Sequence, residues 1–441
     1  MNEYLSLTSS VLLVPRRPGL SAGEDNVVEI LLRVQAPDSP PAGAAARPPQ
    51  AMALVIDRSG SMAGTPLIEA QRCAAYVASR LRASDLASVV QFDHRVRLLL
   101  PALPVGDGDA VRQAVAGIVA GGNTNLHGGW LAGAESLLDA PHASLRRVIL
   151  LSDGCANSGV TDEAEIRAAV ARMAAQGITT STYGLGRNFN EELMVWMARA
   201  GGGSSYYGDA AEDLHEPFQR EFDLLTNLCL VRPVFSCQAP DAVQVQCPND
   251  LPADEGGWRL PDVAWGAEAW AMLRLTVPRT AVPPAGERLA LLAVEVSGQS
   301  LEGDAVRLAR ASLSLPVLSA QVLDAMPQNE LVLRRLAELE AAKLMARLRL
   351  AAAQERWDEV DDVLDEAQRA FGGYDWLAGM LDAMAELARG RDRLRMMKEA
   401  MYSSDKLRSR LAAKQEALSR AQESAGPSFL RRKDRQGKDE T

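Results

Sequence analysis

The segment Asp57-Arg58-Ser59-Gly60-Ser61 places one carboxylate and two hydroxyls on a single short stretch. It follows the apolar run Met52–Ile56, which reads as a buried strand, and precedes a helical stretch that begins near Pro66. The oxygen donors are therefore bunched on a turn at the carboxyl end of a strand, where open α/β sheets bind ligands. Carboxylate and hydroxyl oxygens are hard donors that suit Mg2+ or Mn2+ better than softer metals. Asp and Ser on a turn also serve as caps for backbone N–H groups. The short motif alone leaves both readings open.

Two later segments add donors of the same kind. Gly121-Gly122-Asn123-Thr124-Asn125-Leu126 is a glycine-rich loop ahead of a helical run. Val148–Leu151 is another buried strand, and Ser152-Asp153-Gly154 ends it in an acid and a turn glycine. The ordered set DxSxS, loop Thr124 and strand-end Asp153 resembles the metal-ion-dependent adhesion site of von Willebrand factor A (VWA) domains. The flanking text "ALVIDRSGSM", "GGNTNLHGG", "LLSDGCANSGVTD" and "YGLGRNFNEELMVWMARAGGGSSYY" is similar to that family in order and spacing, from Pro49 to Phe222.

The resemblance implies a metal site made of Asp57, Ser59, Ser61, Thr124 and Asp153, holding Mg2+, with Mn2+ or Ca2+ as alternatives. The serines and Thr124 would be direct ligands, and the two acids would act largely through water. One coordination position would stay open for an Asp or Glu of a partner protein. The expected function is a non-enzymatic, Mg2+-dependent protein-binding scaffold. Two other functions remain open. One is an accessory subunit of a AAA+ ATPase system of the MoxR or chelatase type. The other is a metal-dependent hydrolase using the open position to activate water. The chain has no P-loop, no HExxH and no GxSxG elbow, so any ATPase must be another polypeptide. His127, three residues after Thr124, reads as a polar rim residue at a helix start rather than a base.

The elements that must position these residues are legible from pattern. Between Ala51 and Phe222 apolar strands alternate with amphipathic helices, which argues βαβ units. Strands are expected at Met52–Ile56, Ala87–Phe92, Val96–Leu100, Arg147–Leu151 and Thr179–Tyr183, with Tyr206–Gly208 the last strand and Leu214–Leu225 the last helix. Leu67, Ala70, Ala74, Val77 and Leu81 fall on one helical stripe. The fold class is therefore an α/β, doubly wound, mostly parallel sheet of Rossmann-like type, spanning residues 49–226.

The flanks differ in character. Residues 1–48 hold two strand-like stretches, Leu5–Val14 and Val27–Val34, followed by a Pro/Ala-rich linker. Residues 227–318 carry short apolar runs separated by Pro, Gly and Asp turns, which reads as an antiparallel β-sandwich. The N-terminal strands are expected to join it, so that the α/β domain is an insertion. Proteins of the inter-alpha-trypsin-inhibitor type look similar in this respect. Trp258, Trp265 and Trp270 cluster in this segment, and at least two are expected in its core. Residues 326–423 are rich in Ala, Leu, Glu and Arg and read as a helical domain of three or four antiparallel helices. Residues 424–441 are polar, charged and expected to be disordered.

Composition excludes several classes. A net charge of −10 and few aromatics argue against nucleic-acid binding. The five cysteines are odd in number and form no CxxC pair, which argues against a disulfide framework or a zinc site. Cys73 is expected to be a small core residue on a helix face. The N-terminus lacks a basic n-region and cleavage site, and no stretch reaches the ~18 apolar residues needed to span a bilayer. These features predict a cytoplasmic protein without membrane attachment.

Overall fold

The computed structural model describes residues 10–40, 47–140, 145–153, 156–185, 190–208, 225–254, 256–407 and 411–413. They fall into two compact units. Among the described residues, one comprises 10–40 together with 227–413, and the other 47–226. The expected strand over Leu5–Val14 appears as β1 (Ser10–Pro15), with its first residues outside the described set. β2 (Leu20–Ser21) and β3 (Asn26–Gln35) follow.

In the second unit, six strands form one sheet: β4 (Gln50–Asp57), β5 (Leu86–Phe92), β6 (Val96–Pro104), β7 (Leu145–Ser152), β8 (Ile178–Leu185) and β9 (Gly202–Gly208). The order is β6-β5-β4-β7-β8-β9. All neighbours are parallel except the edge strand β6, which returns antiparallel on β5 after a tight turn. β4 is buried along its whole length, as a strand covered on both faces must be. The chain moves outward from β4 to β5 and β6, then comes back to β7 on the other side of β4. The order therefore reverses between β4 and β7, and sheets of this kind bind ligands beyond the carboxyl ends of the strands at such a point.

Among the described residues five helices join these strands: α1 (Thr65–Arg80), α2 (Asp109–Ala116), α3 (Leu126–Glu135), α4 (Glu163–Ala175) and α5 (Glu191–Ala200). α1 has a proline in its first turn, where a missing N–H costs nothing, and buries Leu67, Ala70, Cys73, Ala74 and Val77. Cys73 is thus the core residue its position predicts. Asp162 caps α4, its Oδ1 accepting from the N–H of Glu165 at 2.8 Å. α3 lies close on the sheet because it is built on glycine. A Cβ at Gly129 would overlap the Phe92 ring, and one at Gly133 would overlap Val55 Cγ2. The helix expected at Leu214–Leu225 lies almost wholly outside the described residues.

The first unit holds two further sheets. The remaining strands are β10 (Leu228–Gln238), β11 (Gln244–Gln246), β12 (Ala253–Asp254), β13 (Gly257–Arg259), β14 (Val263–Ala264), β15 (Ala267–Val277), β16 (Arg288–Gln299), β17 (Ala305–Arg307), β18 (Ala311–Leu318) and β19 (Leu411–Ala413). One sheet runs β1-β3-β15-β11, with β19 also on β15. β3 pairs antiparallel with β15 over ten residue pairs, from Glu268↔Gln35 to Val277↔Asn26, so strands far apart in sequence form one ladder. The other sheet runs β12-β13-β10-β16-β18-β2, with β14 on β10 and β17 on β16. Its β18–β2 pair is parallel.

Five helices close this unit: α6 (Ala320–Ala325), α7 (Glu330–Ala353), α8 (Trp357–Phe371), α9 (Asp375–Arg389) and α10 (Arg393–Leu407). α7 to α10 share a core that includes Met345, Leu348, Val360, Leu364, Leu381, Met384 and Met396. The uniform helical reading of 326–423 needs correction at one place. Leu411–Ala413 is a strand on the edge of β15, because an open ladder beside Ala267–Ala269 outweighs the helix preference of a Leu-Ala-Ala run. The tail at 424–441 lies outside the described residues. Among the described residues no helix is long and apolar enough to cross a membrane.

Candidate metal centre

The five candidate residues lie at the reversal point. Asp57 is the last residue of β4, and Asp153 directly follows β7. Ser59 and Ser61 lie on the turn after β4, and Thr124 on the loop before α3. Asp57, Ser59, Thr124 and Asp153 are buried, while Ser61 is exposed at the rim.

Short hydrogen bonds shape the first turn. Asp57 Oδ1 accepts from the N–H of Ser59 at 2.8 Å, and Asp57 Oδ2 accepts from Ser152 Oγ at 2.6 Å. The Oγ atoms of Ser59 and Ser61 stand 3.1 Å apart. The same turn is tied to the second loop. Gly60 N donates to Gly122 O at 3.0 Å and Gly121 N to Arg58 O at 2.7 Å. Gly122 has φ +87, and a Cβ there would press on His94 and Asp93, so the loop can approach this closely only with glycine.

The second loop is tied to the third in turn. Thr124 N donates to Asn157 Oδ1 at 2.7 Å, and Thr124 O accepts from the N–H groups of Asn157 and Ser158, both at 3.1 Å. Asn125 N donates to Asp93 O at 2.8 Å, and the Asn125 side chain caps α3 by accepting from Gly128 N. Three segments distant in sequence thus form one cluster.

Its electrostatics follow from burial. Burial pushes Asp57 up to about 6, despite the hydrogen bonds from Ser152 and Ser59, and the neighbouring charge of Asp153 pushes the same way. Among the described residues, the groups that bond Asp57 are neutral: the Ser152 and Ser59 hydroxyls and the Ser59 backbone N–H. Asp93, one step outward, behaves oppositely. Burial disfavours its charge, but the N–H of Arg95 and the Arg58 guanidinium at 2.7 Å prevail and hold it below the ordinary carboxylate value. His127 is the second residue of α3, tilted against Trp130, and burial lowers its pKa.

The donor set fits a hard divalent cation. It offers two carboxylates and three hydroxyls, all oxygen, and the charge of one of the carboxylates, Asp57, is poorly solvated. Among the described residues no group of three or more His, Cys, Asp or Glu side chains gathers in one place. The five residues named from the motifs come from the carboxyl ends of β4 and β7 and from the two loops between them. The motifs miss Ser152, Asp93 and Asn157, the groups that position them. Ser152 and Asn157 flank Asp153 in "LLSDGCANSG", but a Ser or Asn there looks like ordinary turn chemistry.

The family model for the von Willebrand factor type A domain matches residues 52–220. The central unit is a VWA domain. Uncharacterized protein sll0103 of Synechocystis sp. is 30% identical over 185 residues, covering 42% of this chain and 43% of that protein. Uncharacterized protein YfbK of Escherichia coli is 29% identical over 179 residues, covering 40% of this chain and 31% of that protein. This chain thus aligns with less than half the length of either curated relative. A von Willebrand factor type A structure from Catenulispora acidiphila superposes with a TM-score of 0.66, covering 86% of this chain and 91% of that one at 18% identity. At that identity the likeness shows the fold, and it reaches well past the VWA domain into the flanking sheets and helices.

Proposed function

We propose that the loop cluster of the VWA domain holds Mg2+, or Mn2+ or Ca2+ in its place, and that the chain is a scaffold binding a partner protein through that ion. Ser59, Ser61 and Thr124 would supply neutral oxygens. Asp57 and Asp153 would supply charge, directly or through water. The observation that supports the reading is the stitching of three loops into one cluster of oxygen donors around a buried carboxylate whose partners, among the described residues, are neutral groups.

When bound, the cation supplies a positive charge with a free coordination position at a shallow rim. The residues of this chain do the rest. Ser152 and the Ser59 N–H orient the Asp57 carboxylate, and Asn157 fixes the backbone of Thr124. Three neutral ligands leave the ion under-neutralised, and such an ion attracts an Asp or Glu side chain from a partner. The reading is non-enzymatic. His127 stands against Trp130 with a lowered pKa, and its ring is read as part of the rim. We read the two sheets of the first unit as a β-sandwich that, with the helices, extends the scaffold.

Calorimetry with Mg2+ on the parent chain and on the double variant Asp57→Ala/Ser59→Ala tests the proposal. The parent should bind one ion, and the variant should bind none while keeping its far-UV circular dichroism. Equal binding by both would remove the metal assignment.

A further inference from the structure

We propose that the notch between the α7–α8 and α9–α10 connections is a docking site for a protein segment that carries a basic and an acidic side chain close together. The site lies in the helices of the first unit and is independent of the metal reading.

Both connections begin in the same way. At the end of α7, Glu355 N donates to Ala352 O and Arg356 N to Ala351 O, each at 3.0 Å. At the end of α9, Arg391 N donates to Ala388 O at 3.0 Å and Asp392 N to Leu387 O at 3.3 Å. This bond pattern closes a helix through one residue in the left-handed conformation, and that residue is usually glycine. Here it is Glu355, at φ +55, and Arg391, at φ +47. A glycine stands next to Arg391, but Gly390 has φ −77 and does not use its freedom. The fold thus accepts local strain to set a long charged side chain at each turn.

Both side chains line one notch of about 430 Å3, together with Arg356, Trp357, Asp358 and Glu359. Glu355 Oε1 lies 3.5 Å from Arg393 Nε, which ties one connection to the other. Arg356 pairs with Glu359. Among the described residues neither Asp358 nor Arg391 has an ion-pair partner. An acid suits the start of α8 and a base the end of α9, so helix dipoles account for the two signs. They do not account for a left-handed arginine beside an unstrained glycine.

The lining selects the occupant. Trp357, the first residue of α8, is half-buried and packs against the bundle core, and it is the one apolar residue of the lining. Glu355, Arg356, Asp358 and Arg391 are exposed. A site for a small molecule encloses its ligand in mostly apolar walls. A notch with charged, exposed walls instead takes side chains from a surface that stays outside it. A purely acidic segment would be repelled by Asp358, and a purely basic one by Arg391. A segment with both charges answers each, and its aliphatic stems lie on the Trp357 ring.

The test is a displayed random peptide library selected on the full chain in EDTA, so that no divalent ion takes part, and eluted with high salt. The eluted pool should be enriched in peptides with Lys or Arg a few positions from Asp or Glu. Such a peptide should bind Arg391→Gly and Asp358→Asn at least tenfold more weakly than the parent. Arg391→Gly relieves the left-handed strain, so its urea midpoint should be no lower than the parent's, and lost binding cannot then reflect unfolding. Equal binding by the parent and both variants, a pool without paired charges, or no enrichment at all would overturn the site. A lower midpoint in Arg391→Gly would overturn it as well, because the fold itself would then require the arginine.

Discussion

Asp57 in the VWA domain and Glu268 on β15 are both fully buried carboxylates, and burial raises both of them. Their surroundings differ. Arg33 Nη2 stands 2.7 Å from Glu268, and Gln35 Nε2 donates to it at 2.9 Å. The charge of Arg335, from α7, also favours the ionised form. Arg335 itself grips Glu338 with two hydrogen bonds and lies over the Trp270 ring at 4.4 Å. Asp57 has two hydroxyls and an N–H instead. One burial carries its own cations, supplied by β3 and α7, and serves to fasten a helix to a sheet. The other is arranged so that a cation can come from outside. Burial of charge alone therefore does not mark a functional site; the identity of the neighbours does.

The sharpest way to break this comparison is to remove the self-paired carboxylate. Glu268→Ala removes the acid that pairs with Arg33 and Gln35. Loss of one partner of a buried pair costs about 3–5 kcal/mol, so the urea midpoint of the first unit, followed by Trp fluorescence, should fall steeply. An unmoved midpoint would mean that water reaches the cluster and that it is no fastener.

The second test acts on the other carboxylate. Mg2+ at about 100 times its dissociation constant should stabilise the VWA domain by about 2.7 kcal/mol. EDTA should reverse this, and Asp57→Ala/Ser59→Ala should show no effect of either reagent in differential scanning calorimetry. Identical Mg2+ responses in parent and variant would place the ion elsewhere.

A smaller effect is expected one step back from the cluster. Asn157→Ala removes the acceptor of Thr124 N. An unsatisfied part-buried donor costs about 1–3 kcal/mol, and the low end applies where water can enter. Mg2+ affinity should drop with it, since Thr124 loses its anchor. Unchanged Mg2+ affinity in titration calorimetry would show that the third loop does not hold Thr124.

The smallest effect concerns pH. Glu268 has a folded-state pKa above its ordinary 4.5, so the folded form keeps this proton longer than the unfolded form. Stability should therefore fall as pH rises from the ordinary carboxylate range through the raised value, by at most about 1.4 kcal/mol per pH unit. Glu268→Gln should remove that part of the slope. A slope that persists in Glu268→Gln belongs to another group.

Much of the VWA domain was legible because its signals are local. β4 and β7 carry the unbroken apolar runs Met52–Ile56 and Val148–Leu151, and Asp57, Thr124 and Asp153 each sit beside a strand end or glycine that announces a turn. What escaped is made by distant pairing. Ser152 meets Asp57 across 95 residues of chain, and nothing near Ser152 reports it. The Arg335 and Glu338 pair looks, in "LVLRRLAELE", like any solvated helix face, yet both residues are buried. The tryptophans mislead in the opposite sense. Trp270 is fully buried, but Trp258 and Trp265 are only half-buried, and Trp258 stacks on Phe235 instead of filling a core. Aromatic residues near turns can cover a sheet as readily as fill it.

The glycines of α3 act at a distance. Val55 fills the space where a methyl at Gly133 would stand, and the Phe92 ring does the same at Gly129. The clearance between helix and sheet is thus set by two missing carbon atoms. Thr124 and its neighbour Asn125 are mounted on the front end of that helix. An alanine at 133 would have to lift the helix, and the mounted threonine would tip away from the serines with it. The calibration of the cluster is held by a residue that lies more than two turns from it and carries no functional group. A search confined to oxygen-bearing side chains would never test it.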